Sequence, residues 1–145
     1  MPNPPVVLEP KKVLRTLRTV WVGMLASLGL YAYTARIIHL PPAPAPKSSF
    51  QLSMVGLGIV FAAVVLYLRM ARMENLLSQL ESGNFKSLAQ KIYATYIISF
   101  VFSEATALFG FSLFFVHADP KYYISLYLGG VLLMLFCYPR LPLAE

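Results

Sequence analysis

Acidic side chains are scarce in this sequence: six Asp and Glu stand against twelve Lys and Arg, and charged residues of both signs make up only 12% of the 145 positions. So little charge beside 58% hydrophobic residues excludes an ordinary soluble fold and fits a single membrane domain over residues 1–145. Cysteine is nearly missing as well. Cys137 stands alone, which excludes an internal disulfide and any cysteine-based metal or haem motif. The net charge of +6 is not arranged as a basic stripe interleaved with exposed aromatics, so no nucleic-acid partner is expected. Ser, His and Asp occur, but no nucleophile motif places them together, and no enzyme activity is expected. The two histidines, His39 and His117, have only Asp119 as a nearby carboxylate and are expected to be solvated at one membrane surface. No metal or other cofactor is implied by them. No period of 20 to 50 residues recurs.

What the sequence does have is apolar length. Four runs, about 19–38, 49–68, 92–116 and 122–138, read as membrane-spanning helices, because roughly 20 residues at about 1.5 Å rise cover the 30 Å of hydrocarbon. The expected fold class is therefore an all-α membrane protein with four transmembrane helices. The N-terminal MPNPPVVLEP, with four prolines, is expected to be an extended arm up to Lys11. The basic KKVLRTLR before the first run also has the form of a signal-peptide start, but the run is expected to be retained as a span. HLPPAPAP, residues 39–46, reads as a stiff polyproline-like connector. Between the second and third spans, Met70, Met73, Leu76, Leu77 and Leu80 fall at helical spacing opposite Arg72, Glu74, Gln79 and Glu81. An amphipathic helical extension is expected there, ended by Gly83 and Asn84. The short HADPK turn makes the last two helices antiparallel neighbours.

Charge orients the bundle. Lys11, Lys12, Arg15, Arg18, Arg69, Arg72, Lys86, Lys91 and Arg140 fall on one side, and Arg36, Lys47 and Lys121 on the other. Nine against three places both termini in the cytoplasm and the protein in a cell (plasma or inner) membrane. Trp21, Tyr93 and Tyr96 are expected at the inner interface and Tyr31 and Tyr33 toward the outer one. The remaining aromatics read as belts and lipid-facing packing.

The third run contains the most informative residue. Between Lys91 and His117 the only ionisable side chain apart from tyrosines is Glu104, near the bilayer midplane. A carboxyl at that depth has no water to solvate its charge, so it is expected to be protonated, paired or turned toward a wet or protein-lined cavity. In lipid, close helix contacts are marked by small residues, because burying apolar side chains gains little there. Thr95, Ser99, Ser103 and Ala107 recur at steps of four, with Thr106 and Gly110 near the same face. Shorter pairs occur at Gly23 with Ser27, Gly58 with Ala62, and Ser125 with Gly129. At 100° per residue Glu104 lies about 100° from Ser103 and about 60° from Ala107, at the edge of the stripe.

The pattern Glu104-Ala105-x-Ala107-x-Phe109-Gly110 resembles the second helix of subunit c, the proteolipid of rotary ATP synthases. The resemblance covers residues 53–116, with the second and third spans as a hairpin whose polar loop is cytoplasmic. It implies Glu104 as a proton or cation carrier, with Ser103 and Thr106 as supporting ligands. Without that resemblance, the sequence points to an accessory or scaffold subunit that meets other membrane subunits through the third helix and the amphipathic loop. The partners expected are the lipid bilayer and those subunits.

Overall fold

The computed structural model describes residues 10–41, 44, 46–81 and 85–140, and among them there is no strand. The helices are α1 (Pro10–Ile37), α2 (Ser48–Tyr67), α3 (Met73–Glu81), α4 (Phe85–Phe115) and α5 (Pro120–Phe136). Three stretches are long and apolar enough to cross a membrane: Lys11–Ile37, Ser48–Leu76 and Leu88–Phe115. The fourth expected span falls short of that length. At 17 residues, α5 is about 25 Å long against roughly 30 Å of hydrocarbon. The expected N-terminal arm, the Gly83–Asn84 helix stop, Pro42, Ala43 and Ala45 of the connector, and the side chains of Leu77 and Leu80 lie outside the described residues.

The long α4 is central and packs against α1, α2, α3 and α5. Its face toward α5 is made of small residues. Thr95, Ser99, Ser103 and Ala107 are all buried, and Thr106 and Gly110 are buried beside them. The four hydroxyls each donate to a carbonyl one turn back on α4: Thr95 to Lys91, Ser99 to Thr95, Ser103 to Ser99 and Thr106 to Phe102, at 2.8 to 2.9 Å. These bonds satisfy polar groups where no water is available and leave the face free for close approach. Backbone then meets backbone. A Cβ placed on Gly110 would lie 2.6 Å from Tyr123 O and Tyr127 N, and one on Gly130 would lie 2.5 Å from Ala107 N.

In α5 the close contact is made by Gly130 rather than the expected pair. Ser125 is exposed, and a Cβ on Gly129 would meet nothing within 4 Å. Adjacent helical residues point about 100° apart, so only one of two neighbouring glycines can face α4. On α2, Gly58 is buried against Leu126 and Ala62 is half-buried.

The α4–α5 turn has defined chemistry. His117 adopts φ 57° and its N–H bonds Phe114 O, while Ala118 N–H bonds Leu113 O. That is a Schellman stop, with histidine in the left-handed position usually taken by glycine. Asp119 then caps α5: its carboxylate accepts from Lys121 N at 3.0 Å, and Pro120 occupies the first helical position. His117 is half-buried rather than solvated, and its Nε2 has no partner among the described residues.

α2 does not continue smoothly into α3. Residues Leu68–Arg72 form a π turn in which Met73 N–H bonds Leu68 O. The extra residue rotates α3 relative to the register of α2. Met73 and Leu76 are buried as the periodicity predicts, but Met70 is 63% exposed. At the same turn Arg69 reaches inward, donating through Nη1 to Tyr96 OH (2.9 Å) and through Nη2 to Tyr138 O (3.2 Å). Tyr96 OH also donates to Arg140 O and accepts from Arg140 N. Tyr96 is therefore a fully buried hub and not an interfacial ring. At the opposite end Gln51 donates to Pro46 O and accepts from Asp119 N–H. The start of α5 is thus tied to α2, and the segment after its end to the π turn.

Candidate functional site

Glu104 is held by α1. Ser27 Oγ lies 2.6 Å from Glu104 Oε1 and donates to it, and Tyr31 OH donates to the same oxygen at 3.4 Å. Ser27 and Tyr31 are one helical turn apart and so share a face. The Tyr31 ring stacks on Phe111 of α4 with centroids 5.1 Å apart, which fixes the hydroxyl toward Glu104 instead of toward the outer interface. Ser27 lies nine residues from both Arg18 and Arg36, about 13 Å from each along the helix axis. The carboxyl therefore sits about midway between the two cationic ends of α1.

Only Oε1 has a partner among the described residues. Ser27 Oγ also lies 2.7 Å from Met24 O, so its single hydrogen faces two acceptors. Ser103 and Thr106 do not reach the carboxyl, because their hydrogens go to Ser99 O and Phe102 O. Their place is taken by Ser27 and Tyr31. The pairing spans 77 and 73 residues of sequence. A serine and a tyrosine four apart on one face of an apolar run were the available signal for it.

Two further ties fasten α1 at other depths. Trp21 Nε1 donates to Met134 O at 2.8 Å, and Tyr127 OH donates to Leu28 O. Among the described residues no three of His, Cys, Asp and Glu come together in a way that could hold a metal ion. Cys137 is buried and forms no disulfide.

The surface carries a large apolar groove between α2 and α5. It encloses about 820 Å³, with Gly58 and Ala62 on one side, Ser125 and Gly129 on the other, Thr106 at its base and Ile59 at its rim among the residues that line it. The residues expected to pack α2 and α5 are thus divided. Gly58 contacts Leu126, while Ala62, Ser125 and Gly129 border open space.

At the α4–α5 turn, outside the apolar spans, Asp119 and Lys121 form an exposed ion pair at 3.1 Å. The Lys121 backbone N–H, and then its ammonium, hold the Asp119 carboxyl below its ordinary value. The carboxylate in turn holds the Lys121 ammonium above its own.

No protein-family model matches this chain, and no curated protein or solved structure matches it either. The features that define it are an all-helical fold with three helices long and apolar enough to cross a membrane, and one mid-span carboxyl bonded across helices.

Proposed function

We propose that the chain is a multi-pass protein of the cell membrane that crosses the bilayer four times with both termini in the cytoplasm. Its role is that of a non-enzymatic accessory or scaffold subunit. α5 serves as the fourth crossing because the ties at Gln51 and at Arg69 and Tyr96 hold its two ends at opposite ends of the bundle. The observation that carries the accessory role is the open groove between α2 and α5. In lipid, helices associate where small residues let backbones approach, and Ala62 and Gly129 leave that opportunity unused within the chain. A helix of a neighbouring membrane subunit is the occupant of matching shape and chemistry.

The test is to fill the groove. Ala62→Phe and Gly129→Leu add volume where the chain has room, so both variants should unfold at the wild-type temperature. Solubilised from its native membrane in mild detergent, the wild type should migrate in an assembly and the double variant as the free 16.2 kDa chain. A wild type that migrates alone, or a variant that stays assembled, refutes the proposal.

A second reading makes Glu104 a proton or cation carrier, as in the proteolipids its surroundings resemble. One observation favours it. Ser27 and Tyr31 donate to Glu104 Oε1 and no cation among the described residues pairs with it, which is the neutral, exchangeable ligation that a proton or cation carrier requires. Carbodiimide modifies protonated carboxyls within membranes. Labelling of Glu104 that falls with rising pH, together with ion flux abolished in Glu104→Gln, supports this reading. Unchanged flux in Glu104→Gln removes it.

A further inference from the structure

The N-terminal end of the bundle is strongly cationic. On α1, Lys11, Arg15 and Arg18 recur at spacings of four and three, so they share one face, while Val13 and Leu17 turn into the core. That cationic face, with Leu14, Thr19 and Val22 of the same helix, lines an open cleft of about 480 Å³. The volume is within the range of ligand-sized clefts. Lys11 and Arg15 are exposed and Arg18 is half-buried. Among the described residues, none of the three pairs with a carboxylate.

Arg18 is the telling residue. Its Nε is buried and has no hydrogen-bond partner among the described residues. Its guanidinium lies 5.6 Å from the centre of the Tyr138 ring, and that of Arg140 lies 5.8 Å from the same ring. Arg69 donates to the Tyr138 carbonyl. Three guanidiniums thus gather around one tyrosine, with no acid among the described residues paired to them. Desolvating a guanidinium N–H without an acceptor is costly, and the Tyr138 ring offers Arg18 a π-face but no lone pair. An anionic acceptor from outside the chain does not reach that buried Nε, but it can pair with the guanidinium's charge, which no carboxylate among the described residues neutralises.

The cleft also has an apolar half. Val22 lies four residues from Arg18, about 6 Å further along α1 toward the bilayer centre. Cations at the rim and apolar surface below match a phospholipid, whose phosphate accepts from guanidinium in a fork and whose acyl chain continues into the hydrocarbon. We propose that an anionic phospholipid binds this cleft, its headgroup phosphate against Arg15 and Arg18 with Lys11 at the rim, and its chain along Val22. The lipid would anchor the entry of α1 to the leaflet into which that end opens.

The experiment uses the full chain, stripped of lipid in a neutral detergent and titrated with phosphatidylglycerol or phosphatidylcholine of identical acyl chains while bound lipid is counted by native mass spectrometry. Phosphatidylglycerol should bind at least about tenfold more tightly. Each of Lys11→Gln, Arg15→Gln and Arg18→Gln should weaken it about fivefold, the effect of one surface charge on anionic lipid, and should leave phosphatidylcholine unchanged. Lys11 and Arg15 are exposed, so their variants carry the test even if Arg18→Gln folds poorly. Arg36→Gln, at the other end of α1, should have no effect. Equal affinity for the two lipids overturns the proposal, as does a Lys11→Gln, Arg15→Gln double variant that keeps the preference. Displacement of the lipid by millimolar inorganic phosphate also overturns it, because the site would then be for a free anion. So does displacement by an acidic peptide, which would mark the cleft as a protein contact.

Discussion

Adding one methyl group at Gly130 should separate α4 from α5. A Cβ there would lie 2.5 Å from Ala107 N and 2.7 Å from both Ala107 Cβ and Ser103 O. Non-bonded carbon contacts are comfortable at about 3.5 Å or more, so the two helices must move apart by roughly 1 Å. Both Ala107 N and Ser103 O are backbone atoms and cannot rotate away. A gap of that size forfeits a quarter to half of the dispersion energy across it, and overpacking in general costs about 1–3 kcal/mol. Hydrophobic burial offers little compensation within lipid. Gly130→Ala is therefore expected to destabilise by about 2 kcal/mol. Gly129→Ala is the control, since a Cβ there meets nothing within 4 Å. Both substitutions replace glycine by alanine inside one helix, so the gain in helix propensity, about 1 kcal/mol, cancels in their difference. Trp21 is the only tryptophan, and it contacts Met134 O and the Tyr138 ring of the α5 end. Its fluorescence should report unfolding in bicelles. A difference below about 0.5 kcal/mol between the two variants, or one of opposite sign, would refute the backbone-contact reasoning.

The Ser27–Glu104 bond should appear in a double-mutant cycle of Ser27→Ala and Glu104→Leu as a coupling of about 1 kcal/mol, within the roughly 0.6–1.7 measured for hydrogen bonds in membranes; strict additivity would mean the bond is absent in lipid. Tyr96→Phe removes the hydroxyl that accepts from Arg69 and Arg140 and donates to Arg140 O, which should cost about 2–3 kcal/mol in thermal unfolding and speed tryptic cleavage after Arg140; an unchanged melting temperature would show the hub to be dispensable. The Asp119–Lys121 cap should hold only within a pH window. Asp119 is depressed when folded, so its contribution is present above 3.8 and lost as pH falls through its lower folded value; Lys121 is raised, so its contribution is present below 10.5 and lost as pH rises through its higher folded value. The Lys121 amide resonance should therefore be flat from about pH 4 to 10 and shift below that range, and an amide that does not respond to acid would exclude the cap.

The all-helical class and three helices able to cross a membrane are legible in the sequence because lipid imposes a minimum apolar length, and α1, α2 and α4 carry it in unbroken runs. The buried face of α4 is legible too, because steps of four in small residues survive without knowledge of any partner. Rotation is not legible when a helix is apolar all round. In α5 nothing in composition distinguishes Gly129 from Gly130, although about 100° separates their directions and only Gly130 meets Ala107. Met70 is misjudged for a related reason: the π turn at Leu68–Arg72 inserts one residue into a register that periodicity assumes to be continuous. Tyr31 and Tyr96 read as interfacial from their distance to the span ends. Their roles as partners of Glu104 and Arg69 depend on residues 73 and 27 positions away.

Glu104 joins the two ways in which this bundle is held. The α4–α5 contact is dry and close, because the hydroxyls of its stripe are satisfied within α4 and its glycines admit a backbone. The attachment of α1 differs. Gly23 and Gly29 meet nothing within 4 Å, so α1 does not use its glycines for close packing. It is fastened instead by Trp21 to Met134 O, Ser27 to Glu104, and Tyr127 to Leu28 O. Where apolar burial contributes little, those polar ties decide how firmly a helix is held. A position about 60° to 100° off the small-residue stripe is thereby explained by packing: on the stripe the carboxyl would block α5, and off it the side chain reaches α1. The two readings of Glu104 now make different demands on Ser27. A latch requires the bond to persist, so Ser27→Ala should loosen α1 and leave ion flux unaffected. A carrier requires the proton to leave, so the same change should alter flux even where α1 stays in place.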